Sequence, residues 1–307
     1  MKKILIIGNN GQVGWELQRT IPLLGAVTSV DFPQIDLSKP DSITACIREN
    51  EPDIIINSAA YTAVDMAESE PEMAMAVNGT APGIIAEEAK KLGALLIHYS
   101  TDYIFDGKKG SPYLEEDTPN PLNVYGRSKL AGEEAIRSSC TPHFILRSSW
   151  IYGSRGKNFL LTMIRLAKER DEIKVVNDQT GAPTWSRIVA EATAQILAKA
   201  LLMVNSGSRD FKELNGTYNI TAGGKTTWYE FADAIIKGVS ISLNNKLLRL
   251  IPVTTVEYNA PAKRPFYSVM SNEKVKRDFG IIQISWEAAL KLCIEDALWW
   301  KENGEKL

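Results

Sequence analysis

The sequence predicts an α/β fold: a doubly wound parallel sheet carrying a smaller, α-rich C-terminal lobe. Three observations point there. Strand-like and helix-like segments alternate through the first half of the 307-residue chain, the first apolar run empties into three spaced glycines, and beyond Trp150 the pattern turns mainly helical. The expected division is residues 1–150 for the sheet and 151–307 for the lobe, with the chain crossing between them around 150–184 and a cleft where they meet.

The first strand, residues 3–7, carries Ile4-Leu5-Ile6-Ile7 and runs into Gly8, Gly11 and Gly14. Missing side chains permit a tight turn, and the free N–H groups and dipole of the following helix attract a diphosphate. The spacing, G-x-x-G-x-x-G, differs from the G-x-G-x-x-G dinucleotide fingerprint. Trp15 to Thr20 continues that helix, and a second strand, residues 26–30, ends at Asp31. A carboxylate there suits the ribose hydroxyls of an adenosine with an unphosphorylated 2′-OH, although it equally suits a turn cap before Pro33. No arginine follows closely and Lys39 is the nearest cation, so the choice between NADH and NADPH stays open.

A third strand, 54–57, leads into Ser58-Ala59-Ala60-Tyr61, whose small residues let a dinucleotide lie close over the strand end or simply pack tightly. A helix over 71–91, a strand over 94–99, a helix over 126–138 and a strand over 143–147 complete the alternation. Helices follow at 157–169 and 185–203, then a polar loop at Asn205-Ser206-Gly207-Ser208, a short strand at 217–220, and helices at 226–238, 271–278 and 285–300.

Composition narrows the function. With 35 Lys+Arg against 37 Asp+Glu and a pI near 5.9, nothing favours nucleic acid or an anionic membrane globally. Cys46, Cys140 and Cys293 are far apart and form no CxxC pair, which argues against zinc and disulfides. Only His98 and His143 offer imidazoles, and His98 lies in a strand-like segment as a core residue. With no leader-like N-terminus and no run of eighteen apolar residues, a cytoplasmic location is expected.

Tyr125 and Lys129 stand four residues apart at the start of a predicted helix, after Pro121, and so share one face. A neighbouring ammonium lowers the phenol pKa toward the working range, letting tyrosine exchange a proton with a carbonyl oxygen as hydride transfer requires. Alone, the pair reads by default as a solvent-facing coincidence. Ser100 and Thr101 end the fourth strand, whose tip faces the same crevice in a doubly wound sheet. A hydroxyl there orients a substrate carbonyl or caps a turn. Glycine turn, Ser/Thr strand end and Tyr-x-x-x-Lys come in the right order along the chain.

Together these motifs resemble the extended short-chain dehydrogenase/reductases, a Rossmann-type fold. Gly11–Leu17, Ala63–Glu68, Ser100–Tyr103, Asn123–Gly126, Asn177–Gln179 and Gly181–Thr184 are similar to the dTDP-4-dehydrorhamnose reductase family, from residue 1 to about 300. The resemblance implies reduction of the 4-keto group of dTDP-6-deoxy-L-lyxo-4-hexulose to dTDP-L-rhamnose, using NADPH with NADH as an alternative. It implies that Tyr125 donates the proton, Lys129 holds the nicotinamide ribose and tunes Tyr125, and Thr101 binds the keto oxygen. The cofactor would touch Gly8, Gly11, Gln12, Val13 and Gly14, then Asp31, Asp36 and Leu37, then Ala59, Ala60 and Tyr61. Thr62, Val64, Asp102, Tyr103, Phe105 and Trp150 would line the dTDP-sugar pocket, with Arg264 near the diphosphate, where a guanidinium fork suits phosphate oxygens. For Trp150 a core aromatic is the alternative, and for Arg264 a solvated surface charge.

Some members of that family pair through a metal held by acidic residues. Glu16 could supply one ligand, but no carboxylate follows Thr184 until Glu191, and one carboxylate is insufficient for magnesium. No metal is expected, and a homodimer is left open. Two rivals remain: a nucleotide-sugar epimerase or dehydratase on the same scaffold, and a non-catalytic NADP-binding regulatory subunit like those that partner methionine adenosyltransferase. Against a dehydratase stands Tyr103, where a glutamate would follow Thr101-Asp102. Against a binding subunit stands the joint presence of Thr101, Tyr125 and Lys129.

Overall fold

Runs of apolar residues that alternate with amphipathic ones have to pair as buried parallel strands joined by helices. The computed structural model, which describes residues 1–239 and 248–303, shows this arrangement. Strand β1 (Lys3–Ile7), helix α1 (Gln12–Thr20), β2 (Ala26–Val30), α2 (Pro40–Asn50), β3 (Ile54–Asn57), α3 (Ala81–Leu92), β4 (Leu95–Thr101), α4 (Val124–Ser139) and β5 (His143–Ser148) follow one another. With β6 (Gly216–Asn219) they form a six-stranded sheet in the order β6-β5-β4-β3-β1-β2. Every residue of β3, β4 and β5 is buried, as a sheet covered on both faces demands. The order reverses between β1 and β3, so a crevice opens at the carboxyl ends of those strands.

Local chemistry sets the helix starts. The Asn123 side chain accepts from the Gly126 N–H at 2.7 Å and caps α4. Pro40 and Pro82 occupy first-turn positions of α2 and α3, where the missing N–H costs nothing. The helix expected over 71–91 is in fact three pieces: Pro71–Met75, a π-helical turn at Ala76–Thr80, and α3. The Asn78 side chain explains the wide turn. It accepts from the Tyr61 N–H and donates to the Tyr61 carbonyl and the Ser128 hydroxyl, so the helix bulges outward to reach the loop after β3.

Two stretches of the second half return to the sheet. β6 pairs with β5 in parallel, and helix α5 (Ser186–Asn205) lies beside α1. Val189, Ile196 and Leu197 of α5 share a core with Ile4, Ile6, Leu17 and Ile56. By length and composition α5 could cross a membrane, and it spends this apolar face on the sheet. A second core gathers Tyr152, Leu160, Phe231, Ile235, Trp286 and Ile294 between the helices Phe159–Glu169, Trp228–Val239 and Trp286–Asn303. Against these lies a parallel pair, Glu172–Val176 with Arg249–Val253, which the sequence reading did not contain.

An ion pair is enclosed beneath α4. Arg147 of β5 donates to Glu133 from Nε at 2.9 Å and from Nη2 at 2.7 Å, and both side chains are at most 1% exposed. Arg137 binds the same carboxylate from the surface. Burial alone would raise the Glu133 carboxyl, and the Arg147 fork reverses that and holds it below its usual value.

Candidate active site

At Gly8 and Gly14 the turn after β1 leaves no room for a side chain. Gly8 has φ +91°, and a Cβ there would meet the Ala59 backbone N at 2.5 Å. A Cβ on Gly14 would stand 2.0 Å from the Gly8 carbonyl oxygen, so Gly14 serves the contact of α1 with the turn. Gly11 is the open one: a Cβ there would lie 3.4 Å from the Gly8 oxygen, and the residue borders a cavity of about 690 Å³ at the carboxyl ends of the strands. Gln12 and Val13, at the start of α1, border the same cavity, so a helix N-terminus without an acidic residue in its first turn faces it. Asp31, Ser58, Ala59 and Ala60 continue this wall. The Asp31 carboxylate accepts from the Asn10 N–H at 2.9 Å and the Phe32 N–H at 2.8 Å. Asp36 and Leu37 line a smaller adjoining pocket of about 370 Å³ that shares Asp31, Ala59 and Ala60 with the main cavity. These features fit a bound dinucleotide.

Thr101, Tyr125 and Lys129 border that cavity together. β4 delivers Thr101 and the first turns of α4 deliver the other two. The Thr101 hydroxyl donates to Asp102 Oδ1 at 3.1 Å and accepts from the Tyr103 N–H at 3.2 Å. Tyr125 is half-buried as a residue, yet the protein around its phenol pushes it up to about 12, with the Thr101 hydroxyl acting against the shift. The expected lowering by Lys129 is not seen. The ammonium points elsewhere: Nζ donates to the Tyr99 carbonyl at 2.6 Å and stands 3.3 Å from His98 Nε2. Burial lowers Lys129 to about 8, against the opposing charge of Glu133. Asp102, 1% exposed, is raised by burial to about 7, with the Ser268 and Thr101 hydroxyls opposing.

On the far side, Thr62, Val64, Asp102, Tyr103 and Trp150 line the cavity. Tyr103 meets Tyr125 edge to face with ring centroids 5.9 Å apart. Trp150 holds a left-handed backbone, φ 46°, and its indole fills the space above Gly181, where a Cβ would come within 2.4 Å of the ring.

Three expected positions lie elsewhere. Phe105 is fully buried and stacked on Tyr113 with centroids 4.1 Å apart, because the turn Asp102–Ile104 swings the chain away from the cavity. Arg264 is not among the cavity-lining residues; its fork closes on Asp65, Nη1 to Oδ1 at 3.0 Å and Nη2 to Oδ2 at 2.8 Å. Tyr61 turns its hydroxyl to Glu70 at 2.6 Å. Glu16 accepts from Arg187 at 3.2 Å, and Arg187 also reaches Asp296 at 2.9 Å.

Sequence reasoning missed Trp228, Lys157 and Ser148, which also line the cavity. The Ser148 hydroxyl is buried without a partner among the described residues, next to Thr101 in the β4–β5 register. Pairing of the last two strand ends would have found Ser148. Nothing in the sequence links Trp228 to a cavity built from the first half.

Residues 1–298 match the family model described as RmlD substrate binding domain. A dTDP-4-dehydrorhamnose reductase of Burkholderia thailandensis is 46% identical over 299 residues, covering 96% of this chain and 99% of that protein. A crystal structure of a dTDP-4-dehydrorhamnose reductase from Clostridium acetobutylicum superposes with a TM-score of 0.85 at 34% identity, over 96% of this chain and 99% of the other. Another, from Bacillus anthracis in complex with NADP, has a TM-score of 0.83 at 36% identity, with coverage of 96% and 99%.

Proposed function

The chain belongs to the RmlD substrate binding domain family, and from that membership we propose that it reduces the 4-keto group of dTDP-6-deoxy-L-lyxo-4-hexulose to give dTDP-L-rhamnose, with NADPH or NADH as reductant. The observation that carries this reading is that Thr101, Tyr125 and Lys129 share one cavity with the glycine turn and the start of α1.

The reduced nicotinamide, when bound, supplies a hydride to the carbonyl carbon. The chain supplies the rest. A phenol raised to about 12 is protonated at neutral pH, so Tyr125 can give its proton to the ketone oxygen as the alkoxide develops. The Thr101 hydroxyl lies beside it to hold that oxygen. Lys129, in its protonated form, stabilises the phenolate left behind and holds ribose hydroxyls. The Trp150 indole and Tyr103 ring enclose the sugar side and keep water out.

A simple reductase is favoured over a dehydratase because Tyr103, an aromatic acid far weaker than a carboxyl, follows Asp102 in the cavity wall. Purified protein mixed with NADPH, and separately NADH, and the keto-sugar tests the reading through loss of reduced-nicotinamide absorbance matched to dTDP-L-rhamnose formed. Cofactor binding without turnover would sink it.

A further inference from the structure

The reductase reading uses Lys129 but not what lies behind it. Nζ of Lys129 is buried 3.3 Å from His98 Nε2. On the other side of the ring, His98 Nδ1 faces Asn57 Nδ2 at 3.2 Å. Asn57 is fully buried at the end of β3, and its Oδ1 accepts from the Ala59 N–H at 3.3 Å. Ala59 is in the loop that walls the cofactor side of the cavity.

Donor and acceptor roles along this line are not free. The Ala59 N–H can only donate, so the Asn57 oxygen faces it and the amide NH₂ faces His98. His98 Nδ1 is then the acceptor, and the proton of the neutral ring resides on Nε2. That N–H points at Lys129, whose other contact is a carbonyl acceptor, Tyr99 O at 2.6 Å. An ammonium and an N–H facing each other are two donors without an acceptor, whereas an amine accepts from Nε2–H and still donates to Tyr99.

We propose that His98 is a positioning residue for Lys129: fixed by Asn57 as its Nε2–H tautomer, it ties the cofactor loop at Ala59 to the Lys129 nitrogen and weakens the hold of that nitrogen on its proton. The proposal rests on the reductase reading for its catalytic meaning. The surroundings agree with a neutral imidazole, since burial holds His98 well below its ordinary value. The groups facing this nitrogen are Glu133 from α4, His98 and the Tyr99 carbonyl from β4, and Asn57 through the ring; Arg147 and His143 of β5 face Glu133 and His98 respectively. Glu133 favours the ammonium and its charge is drawn off by Arg147, so the Nε2–H of His98 acts in the same direction as burial, against the ammonium.

The chain's two histidines make the test direct. His143 Nδ1 meets the Thr141 carbonyl at 2.9 Å, which only an N–H can do, so the two rings should be opposite tautomers. Nitrogen NMR of histidine-labelled wild-type protein should show one Nε2–H ring, assigned to His98 by its loss in His98→Phe, that stays neutral between about pH 5 and 9. An Nδ1–H tautomer or an imidazolium at His98 would overturn the proposal, and this readout stands even if no keto-sugar is turned over. In the activity assay, His98→Phe removes the competing donor and should move the alkaline limb of kcat/KM up by about one pH unit. A uniform loss of kcat with the limb unmoved would mean that His98 only fills space.

Discussion

The indole of Trp150 lies flat on that of Trp228, with 3.6 Å between ring centroids and 8° between planes. One comes from the short link that follows β5 and the other opens a helix of the second core. The stack therefore joins the two parts of the cavity wall. Trp228→Ala should raise KM for the nucleotide sugar by about 5–10-fold, in line with the ~1 kcal/mol of a stacked aromatic pair, and change kcat little. Steady-state kinetics with the sugar varied would show this, and an unchanged KM would remove Trp228 from the binding wall.

Replacing Tyr125 by Phe deletes the proton donor while leaving the ring that packs edge to face on Tyr103. Turnover should fall by about 10²–10⁴-fold. Fluorescence titration should find cofactor affinity within about 2-fold of wild type, since no packing is lost.

Lys129 is lowered by burial to about 8 from the ordinary lysine value. Its charge is present below that pH and lost above it, and the proposed role needs the charge once Tyr125 has given up its proton. A plot of kcat/KM against pH should thus fall on the alkaline side with an apparent pKa near 8. A plateau extending beyond pH 10 would contradict the assignment.

Asp102 carries a testable stability signature. Its folded pKa, about 7, lies above the ordinary 3.8, so between those values the folded state holds a proton that the unfolded chain has released. Stability contributed by the neutral carboxyl is full below about pH 4 and declines as pH rises toward 7. Asp102→Asn, which cannot ionise, should flatten this decline, gaining up to a few kcal/mol relative to wild type at pH 8. Urea melts at several pH values would measure the difference, and parallel curves would refute it.

Beneath α4, Arg147→Met should destabilise by about 3–5 kcal/mol by leaving the Glu133 carboxylate buried without its fork. Adding Glu133→Leu should recover most of that loss in thermal melts, because an apolar pair replaces an orphaned charge.

Much of this was legible in the chain because it is local. The strands at 26–30 and 54–57 fall where their β-branched runs place them, and the glycine turn, Thr101, Tyr125 and Lys129 each follow from the element before them. What escaped depends on partners distant in sequence. Glu172–Val176 and Arg249–Val253 are strands only by pairing with each other, and the second contains Pro252, which reads as a breaker. Arg264 was expected near phosphate, and its fork is taken by Asp65, 199 positions away. Phe105 follows the Thr101 motif in sequence, but one short turn carries it into a different cluster.

The late arrival of β6 bears on how the molecule is born. As the chain emerges from the ribosome, β5 presents a bare rim of unpaired amides until Gly216–Asn219 has been translated and docked, and such a rim can recruit stray segments from other nascent chains. The half of the protein that holds the glycine turn and Tyr125 therefore waits, incomplete, on residues made some seventy positions later. A premature stop near residue 200 should yield aggregates in the cell rather than a soluble dinucleotide-binding fragment.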